Sequence, residues 1–526
     1  MKLVRFFNVL LSAVVLLSVN GCTSASDNEA GKAKYIFLFI GDGMGITQVA
    51  AADSYLAYTN GDQLGGQYLT MTSLPHFGLL TSYSANSRVT DSAAAGTAIA
   101  CGVKTNNGSI GVDAQGNPVK SIAYDLHEED YNVGIITTVP HNHATPTAFY
   151  ANNVNRDACY EMCLQIPTSG FEFYAGSGFI DYRGKHNDLR PIDEVIEEGG
   201  YKVVYGFNEY NAEVEAGDKV VFCQESNKEE SAGNYVSEGK LAEDATLGEM
   251  LELGLKHLGT KEPFFFMCEG GKIDWACHSN DAATTFHEII DMDEAIKVAY
   301  EFYKQHPDET LIVVTADHET GGIALGRGPY ELHTDVFQHQ KISVDMYASH
   351  LEELIKSKGT AITWDIIEAD LKANWGFWDK VQLNEHQTAR LKRAFDKVVA
   401  GKENGEQSLY SQLGGIATEA RNILHEIALV GWQSGGHSNG YVPVFAIGAG
   451  AEEFVGKYDN TEIPKRIGKV TELVKAGKVK EITDFRDEID LNGFKLTLDL
   501  KRGTDPDQLM AKLYKLTTLE DDFACN

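Results

Sequence analysis

The segment "KYIFLFIGDGMG", residues 34–45, joins an apolar run to an acidic, glycine-rich turn. Every residue from 35 to 40 is apolar or aromatic. An unbroken run of this kind is typical of a strand that is buried on both faces of a parallel sheet. Asp42 follows the run closely, and functional groups of open α/β sheets gather beyond the carboxyl ends of the strands. The segment therefore predicts both the type of sheet and the edge that carries the chemistry.

Four further apolar runs are predicted strands, at 132–139, 262–268, 309–316 and 441–448. Helical periodicity lies between them, at 244–258 and 293–306. This alternation predicts an α/β fold with a large central, mostly parallel sheet flanked by helices on both faces. Residues 327–430 interrupt the alternation with polar helical sequence. We expect a mainly helical insertion there, between two strands of the sheet, and not an independent domain.

The first 22 residues have the pattern of a signal peptide: Lys2 and Arg5 precede an apolar run that ends at Cys22. Cys22 resembles the lipid-modified cysteine of a bacterial lipoprotein, and ordinary signal cleavage near Cys22 without a lipid is the alternative. We expect an exported protein, either periplasmic or anchored to a cell-envelope membrane through its lipid. Residues 23–33 would be a tether and residues 34–526 a single catalytic domain.

The chain of 526 residues is acidic, with a formal net charge of −31 at pH 7. Such a balance argues against a nucleic-acid partner, and it repels an anionic substrate at long range. Any phosphate-binding site must therefore supply its own positive charge. Beyond Cys22 the chain holds seven cysteines, an odd number that leaves at least one thiol free. Cys159 and Cys163 are close enough in sequence for a local disulfide.

Carboxylates and imidazoles also accompany the other predicted strands. They are His143, Glu269, Asp274, His278, Asp317, His318 and His437, together with the hydroxyl of Thr145. A set that mixes carboxylate and imidazole suits Zn²⁺, whereas oxygen ligands alone suit Mg²⁺. Asp274 and His278 are four residues apart, so on a helix both would face one ion. This arrangement favours a metal cluster over helix caps and core histidines.

The stretch "RVTDSAAAGTAIACG", residues 88–102, places Ser92 before a run of small residues. Small residues let the amino end of a helix approach an anion, with its backbone N–H groups and dipole directed at the charge. A tightly packed helix pair would need the same residues, and this alternative stays open. Beside a metal cluster, Ser92 is a candidate nucleophile because a bound cation can activate its hydroxyl.

The motif "VTDSAAAGTA" and five others together resemble the alkaline phosphatase family. The others are "GDGMG", "HATPTAFYANNVNR", "EGGKIDWACH", "TADHETGG" and "GGHSNG". The resemblance extends from about Lys34 to Ile463 and is loose across the insertion. It implies hydrolysis of phosphate monoesters through a phosphoserine intermediate, with release of inorganic phosphate at a site of two Zn²⁺ and one Mg²⁺. It also implies a homodimer.

The resemblance further implies a role for each matching residue. Ser92 would attack the phosphorus, and Arg156 would hold two phosphate oxygens with its planar guanidinium. One Zn²⁺ would be bound by Asp274, His278 and His437, and the other, next to Ser92, by Asp42, Asp317 and His318. Mg²⁺ would be bound by Asp42, Thr145 and Glu269.

Two positions depart from some members of the family. His143 and Trp275 stand where others carry an aspartate with a lysine, or a pair of histidines. Both would lie near the third metal and the phosphate, so they bear on the identity of that metal and on phosphate affinity.

Two alternatives remain at this point. A phosphodiesterase or a sulfatase of the same superfamily would share the two-metal core. A surface lipoprotein that binds a metal or a partner without turnover would share the residues but not the reaction.

Overall fold

The computed structural model describes residues 33–62, 68–227, 235–239, 244–403, 409–471, 482–490 and 493–500. The predicted signal peptide, the tether as far as residue 32, and the end of the predicted catalytic domain after residue 500 lie outside the described residues. Within the described part, no helix combines the length and the apolar character that a membrane span requires.

The strands are β1 (Tyr35–Gly41), β2 (His76–Thr81), β3 (Asn132–Thr137), β4 (Phe173–Gly176), β5 (Tyr201–Tyr205), β6 (Lys219–Cys223), β7 (Phe264–Gly270), β8 (Thr310–Ala316), β9 (Glu319–Thr320), β10 (Ala324–Leu325), β11 (Val430–Gly431), β12 (His437–Ser438), β13 (Val442–Gly448), β14 (Gly456–Asp459), β15 (Ile482–Asp490) and β16 (Gly493–Leu500).

The helices are α1 (Ile46–Thr59), α2 (Ser92–Cys101), α3 (Ile122–His127), α4 (Ala144–Tyr150), α5 (Cys159–Cys163), α6 (Ile166–Ser169), α7 (Ile192–Glu198), α8 (Gly206–Glu213), α9 (Leu247–Leu258), α10 (Lys272–His278), α11 (Ala282–Gln305), α12 (Val344–Lys358), α13 (Trp364–Trp375), α14 (Glu385–Glu403), α15 (Leu409–Ala428) and α16 (Glu462–Val470).

Ten strands form the central sheet, in the order β14-β2-β13-β8-β1-β7-β3-β4-β6-β5. Strand β13 runs antiparallel to both of its neighbours, and every other pair in the sheet is parallel. β1 lies between β7 and β8, and all of its residues are buried. The predicted fold class is confirmed. The apolar run at 35–40 forms β1 and lies in the middle of the sheet.

Helices cover both faces of the sheet. Strand β7 contacts both helical layers because its neighbouring residues point in opposite directions. The Phe266 ring lies on the face that packs against Gly254 of α9, where an added Cβ atom would come within 2.8 Å of the ring. The Phe265 ring lies on the other face, with its centroid 6.3 Å from that of Phe149 in α4. Aromatic rings on both faces of β7 therefore anchor the two helical layers.

The predicted insertion is mainly helical, as expected, and contains α12 to α15. Its two ends are joined by the antiparallel pair of β10 and β11, in which Ala324 lies opposite Gly431. Trp375 is fully buried inside it, with its ring centroid 5.5 Å from that of Tyr347. Its apolar interior is continuous with the core of the sheet. The segment is thus an outgrowth of the main domain.

The suggested disulfide between Cys159 and Cys163 is not formed. The two residues begin and end the short helix α5, and both thiols are free and buried. Among the described residues every cysteine is a free thiol.

Gly134 in β3 offers a test of the packing at the centre of the sheet. A Cβ atom at this position would overlap the Phe266 ring. Because overpacking a buried site forces neighbouring side chains out of their rotamers, we expect Gly134→Ala to lower the free energy of unfolding by about 1–3 kcal/mol. Gly415→Ala is the matched control, since open space surrounds that helical position among the described residues. Urea unfolding should show loss of stability in the first variant alone.

Candidate active site

The carboxyl edge of the sheet gathers the predicted carboxylates because β1, β7 and β8 end in register. Gly41 lies opposite both Gly270 and Ala316. Asp42 and Asp317 follow these positions directly, so their side chains leave adjacent strands at the same level. Glu269 stands near the end of β7 beside them. All three carboxylates are fully buried.

The reversed strand β13 brings His437 to the same edge. Because β13 runs against β8, its amino end lies where the parallel strands finish. The preceding strand β12 pairs with β9, so that His437 lies opposite Thr320. The imidazole of His437 stacks on that of His318, with ring centroids 3.6 Å apart. The reversed direction of β13 thus places the His437 imidazole at the carboxyl edge of the parallel strands.

Three groups of side chains at this edge could each hold a cation, since the ligand atoms in every group lie within 4.8 Å of one another. The groups are Asp274, His278 and His437; Asp42, Asp317 and His318; and Asp42, His143 and Glu269. The first two contain the same residues that the sequence assigned to two Zn²⁺. The third contains His143, which the family resemblance placed near the third metal and the phosphate.

Hydrogen bonds from the outer ring nitrogens orient two of the imidazoles. The Nδ1 atom of His278 lies 2.7 Å from the Gly435 carbonyl oxygen, and that of His437 lies 2.8 Å from the Thr90 carbonyl oxygen. Each Nδ1–H donates to its carbonyl, so Nε2 has a free lone pair whenever the ring is neutral. The two Nε2 atoms face each other at 3.1 Å. This is the orientation that two ligands of one cation require.

Hydroxyl groups orient two of the carboxylates, and the sequence analysis missed both. Thr320 donates to Asp274 at 2.6 Å, and Thr137 donates to Glu269. Thr320 comes two residues after His318 and Thr137 ends β3. A threonine next to a predicted ligand is too common a feature to have identified them.

The buried carboxylate oxygens at this edge are suited to bind a cation. Among the described residues, neither carboxylate oxygen of Asp42 has a hydrogen-bond partner, and Glu269 Oε1 and Asp317 Oδ2 also lack one. Burial raises the pKa of Asp42 well above its usual value, that of Glu269 to about 8, and that of Asp317 to about 7. A buried charge without a partner is costly, so these carboxylates ionise readily only beside positive charge.

The pKa values of the histidines differ between buried and exposed rings. Burial lowers the pKa of His318 and that of His143 to about 4, which keeps both rings neutral and able to act as ligands. The hydrogen bond with Asp274 raises the pKa of the half-exposed His278 to about 9. For Asp274, burial opposes ionisation, but the contacts with His278 and the other imidazoles outweigh it and hold the pKa below its usual value.

Ser92 occupies the first position of α2, at the amino end of the helix. Its hydroxyl is buried and lies 3.2 Å from His318 Nε2, inside the second group. The small residues that follow serve packing as well: an added Cβ atom at Gly96 would lie 3.3 Å from the Thr145 backbone in α4. The packing interpretation of the stretch "RVTDSAAAGTAIACG" is therefore confirmed, and the anion-binding interpretation stays a prediction.

Asp91 connects the helix to Arg156, a role that the sequence analysis did not assign. Its carboxylate caps α2 by accepting from the Ala94 N–H at 3.0 Å. Its other oxygen accepts from the Arg156 guanidinium at 3.1 Å and from the Gly108 N–H at 2.9 Å. An aspartate immediately before a helix is the usual capping residue, and that signal could have identified it.

The two positions that depart from some relatives contact each other. The rings of His143 and Trp275 meet edge to face, with centroids 5.9 Å apart. His143 precedes α4 as its cap, and Thr145 lies in the first turn and is buried. Trp275 is half-buried. The structure thus brings together every site residue that the sequence named.

A mostly parallel α/β sheet, with carboxylates, imidazoles and a buried serine hydroxyl at its carboxyl edge, defines a class of hydrolytic enzymes with metal-binding groups. The sequence model of the alkaline phosphatase family matches residues 33–221 and 229–473. The chain therefore belongs to the alkaline phosphatase family, and it is an enzyme that hydrolyses phosphate monoesters.

The similarity to known alkaline phosphatases covers most of the chain. Alkaline phosphatase 4 of Bacillus subtilis is 29% identical over 473 residues, which are 86% of this chain and 92% of that protein. The tissue-nonspecific alkaline phosphatase of Rattus norvegicus is 33% identical over 54% of this chain and 63% of its own length. The solved structure of the cold-active alkaline phosphatase of a Shewanella species has a TM-score of 0.69 and 26% identity, and it covers 83% of this chain and 99% of that chain.

Removal of the metal should give the stability of the protein a distinctive pH dependence. Groups whose pKa is raised by folding keep their protons only when folded, so they stabilise at low pH and lose this effect as pH rises. Glu269 and His278 share this sign between about pH 6.5 and pH 8, whereas His318 and His143 already carry no charge there. We expect the unfolding free energy of chelator-treated protein to fall across this interval by about 1.4 kcal/mol per pH unit for the proton that buried Glu269 retains. The exposed His278 adds a smaller amount because solvent screens its charge, and the Tm should fall accordingly.

Added Zn²⁺ should raise the Tm and flatten the profile, because the cation compensates the buried negative charge. Glu269→Gln is the matched variant, and its metal-free profile should be shallower than that of the unaltered protein. A metal-free Tm that stays constant or rises between pH 6.5 and pH 8 would contradict this account.

Proposed function

We propose that the enzyme hydrolyses phosphate monoesters through a phosphoserine intermediate on Ser92, at a site for two Zn²⁺ and one Mg²⁺. The observation that carries the proposal is the position of the Ser92 hydroxyl, 3.2 Å from His318 Nε2 and at the amino end of α2. A nucleophile in this place lies beside the carboxylate and imidazole groups that would hold cations.

The residues of the chain itself account for attack and for binding of the phosphoryl group. The Ser92 hydroxyl loses its proton as its oxygen attacks the phosphorus, and the bond to the ester oxygen breaks. The ester oxygen takes up a proton and leaves as the alcohol. The amino end of α2 and the Arg156 guanidinium then face the transferred phosphoryl group, and both favour negative charge. Asp91 holds Arg156 by one Nη atom, so the guanidinium is oriented before substrate arrives. Water attacks the phosphoserine phosphorus, and inorganic phosphate is released.

In this proposal Asp274, His278 and His437 hold one Zn²⁺, and Asp42, Asp317 and His318 hold the other. Mg²⁺ is held by Asp42, Thr145 and Glu269. When bound, the cations lower the pKa of the serine hydroxyl and neutralise charge on the attacking and leaving oxygens. The unpartnered oxygens of Asp42, Glu269 and Asp317, together with the mixed carboxylate and imidazole donors, support this assignment.

His143 bears on the third cation, since its ring joins Asp42 and Glu269 in one group. A structure of the alkaline phosphatase from the Antarctic bacterium TAB5 is described as a histidine-to-aspartate mutant with Mg bound in its M3 site. This description agrees with a histidine at the third site that influences which metal binds. We therefore propose that His143 allows either Mg²⁺ or a third Zn²⁺ at this position.

Ser92→Ala tests the nucleophile. We expect kcat on p-nitrophenyl phosphate to fall by about 10³-fold or more, because the covalent route is lost while binding remains. Zinc content measured by elemental analysis should stay unchanged, since the hydroxyl is not a principal ligand. A variant that keeps its metal and its full activity would exclude Ser92 as the nucleophile.

The same assay separates the phosphomonoesterase from its nearest rivals. Bis-p-nitrophenyl phosphate is the substrate of choice for a phosphodiesterase, and p-nitrophenyl sulfate is that for a sulfatase. We expect the monoester to be hydrolysed with the highest kcat/KM. A preference for the diester or for the sulfate would overturn the assignment of substrate class.

Trp275→Lys tests the effect of the indole on product affinity. Trp275 contributes no charge to a phosphate near His143, whereas a lysine would. A new charge-assisted contact should lower the inhibition constant of inorganic phosphate about tenfold, and kcat should fall if phosphate release limits turnover. Trp275→Phe is the uncharged control and should leave inhibition as it is. Unchanged inhibition in the lysine variant would refute this role.

The place of the enzyme in the cell is also a proposal. The pattern at Lys2, Arg5 and Cys22 supports export and a lipid anchor on Cys22. The homodimer rests on the family resemblance alone. Small phosphate monoesters are the partners that the family implies, and the acidic chain argues against nucleic acid.

A further inference from the structure

A basic cavity of about 570 Å³ lies between the insertion and the metal-ligating loops. Three arginines from separate parts of the chain line it: Arg327 follows β10, Arg390 belongs to α14, and Arg421 belongs to α15. Three guanidinium groups around one cavity are unexpected in a chain with a net charge of −31. The volume suits a small molecule.

Two of these arginines have no carboxylate partner. Arg390 is neutralised, since it pairs with Glu419 and with Glu426 at 2.5 Å each. By contrast, the side chains of Arg327 and Arg421 form no ion pair with any of the described residues. Arg421 donates only to the Ser279 carbonyl and to the Asn422 side chain.

The remaining polar groups of the wall do not cancel this charge. Burial lowers the pKa of His425 to about 3, so its ring is neutral. The indole of Trp432 lines the cavity, and its buried Nε1–H has no hydrogen-bond partner within the described part of the chain. The cavity therefore presents two guanidinium groups that form no ion pair with the described residues, while its one carboxylate, Glu426, pairs with Arg390.

The cavity adjoins the loops that hold the first group of metal-binding residues. Arg421 binds the carbonyl of Ser279, the residue after His278. Asn280, on the cavity wall, donates to the Ser434 carbonyl at 2.7 Å. The next carbonyl, that of Gly435, is the one that orients His278. An anion in the cavity would thus lie directly behind the segment that positions this ligand.

We propose that the cavity is a second anion site, which binds a phosphate-type dianion by means of Arg327 and Arg421. Planar guanidinium groups bind such oxygens in pairs, and the unpaired charge matches a dianion. The dianion is either a second phosphate group carried by a substrate or free inorganic phosphate. The site goes beyond the proposed function, and only its kinetic test below rests on that function.

The binding test uses inorganic phosphate and metal-loaded protein. Equilibrium dialysis with radiolabelled phosphate should show more than one phosphate bound per chain. Arg327→Gln should weaken the additional site about tenfold or more, because a charge-assisted hydrogen bond is lost. This variant breaks no hydrogen bond or ion pair of the described residues, and an unchanged Tm would verify its fold. Arg421→Gln is the second variant.

Arg393→Gln is the matched control. Arg393 belongs to the same helix as Arg390 and lines a different cavity, so the substitution makes the same change in net charge. It should leave phosphate binding unaltered. An equal loss in the control would mean that net charge alone, and not the cavity, governs binding, and this would overturn the proposal.

The kinetic test identifies the source of the dianion. If a substrate carries it, Arg327→Gln should raise KM for a bisphosphorylated monoester and leave KM for p-nitrophenyl phosphate unchanged. If free phosphate is the ligand, Arg327→Gln should reduce phosphate binding in the dialysis experiment and leave both KM values unchanged. The proposal fails if neither measurement changes in Arg327→Gln and Arg421→Gln. If the unaltered enzyme does not hydrolyse p-nitrophenyl phosphate, the proposed function fails instead, and the dialysis result still decides the anion site.

Discussion

The burial of several carboxylates at one edge of the sheet is the constraint on which the rest of the structure depends. Asp42, Asp317 and Glu269 are fully buried, and oxygens of all three lack hydrogen-bond partners. Like charges held together out of water oppose folding unless positive charge compensates them. The neutral imidazole of His318 and the threonines around the carboxylates orient ligand atoms but supply no net charge. In the proposed mechanism, bound cations would supply both the charge that compensates these carboxylates and the charge that the catalytic chemistry uses.

The sequence predicted the sheet and the site well because both depend on local patterns. An apolar strand followed by an acid identified Asp42 and Asp317, and the four-residue spacing identified Asp274 and His278. The reversed direction of β13 could not be predicted, because an apolar run does not reveal whether it pairs parallel or antiparallel. The proposed bridge between Cys159 and Cys163 was wrong, since closeness in sequence does not fix the geometry of two thiols. Thr320 was missed because it contacts Asp274, a residue far away in the chain, whereas Asp91 was missed although its place directly before α2 is a local signal for a cap.

Positive charge is scarce in this protein, and its placement is informative. The acidic surface disfavours anions at a distance, so guanidinium groups near the sheet edge have a large local effect. Arg156 is held in place by Asp91, which also caps the helix that carries Ser92 and accepts from the Gly108 N–H. The arginines of the insertion differ, because two of them have no such carboxylate anchor among the described residues. A guanidinium anchored by a carboxylate is oriented in advance, whereas an unanchored one is available for a ligand's charge.

The short ladder of β10 and β11 has a consequence for how this enzyme can diversify. It brings the two ends of a segment of roughly a hundred residues side by side, while Gln340 and the Val344 N–H inside the segment also donate to Asp281 of the main domain. Lengthening or shortening a segment whose ends already meet adds little closure entropy. Evolution, or a protein engineer, could exchange this outgrowth between relatives without disturbing the strands that carry the reaction, and substrate choice could change while the chemistry is kept.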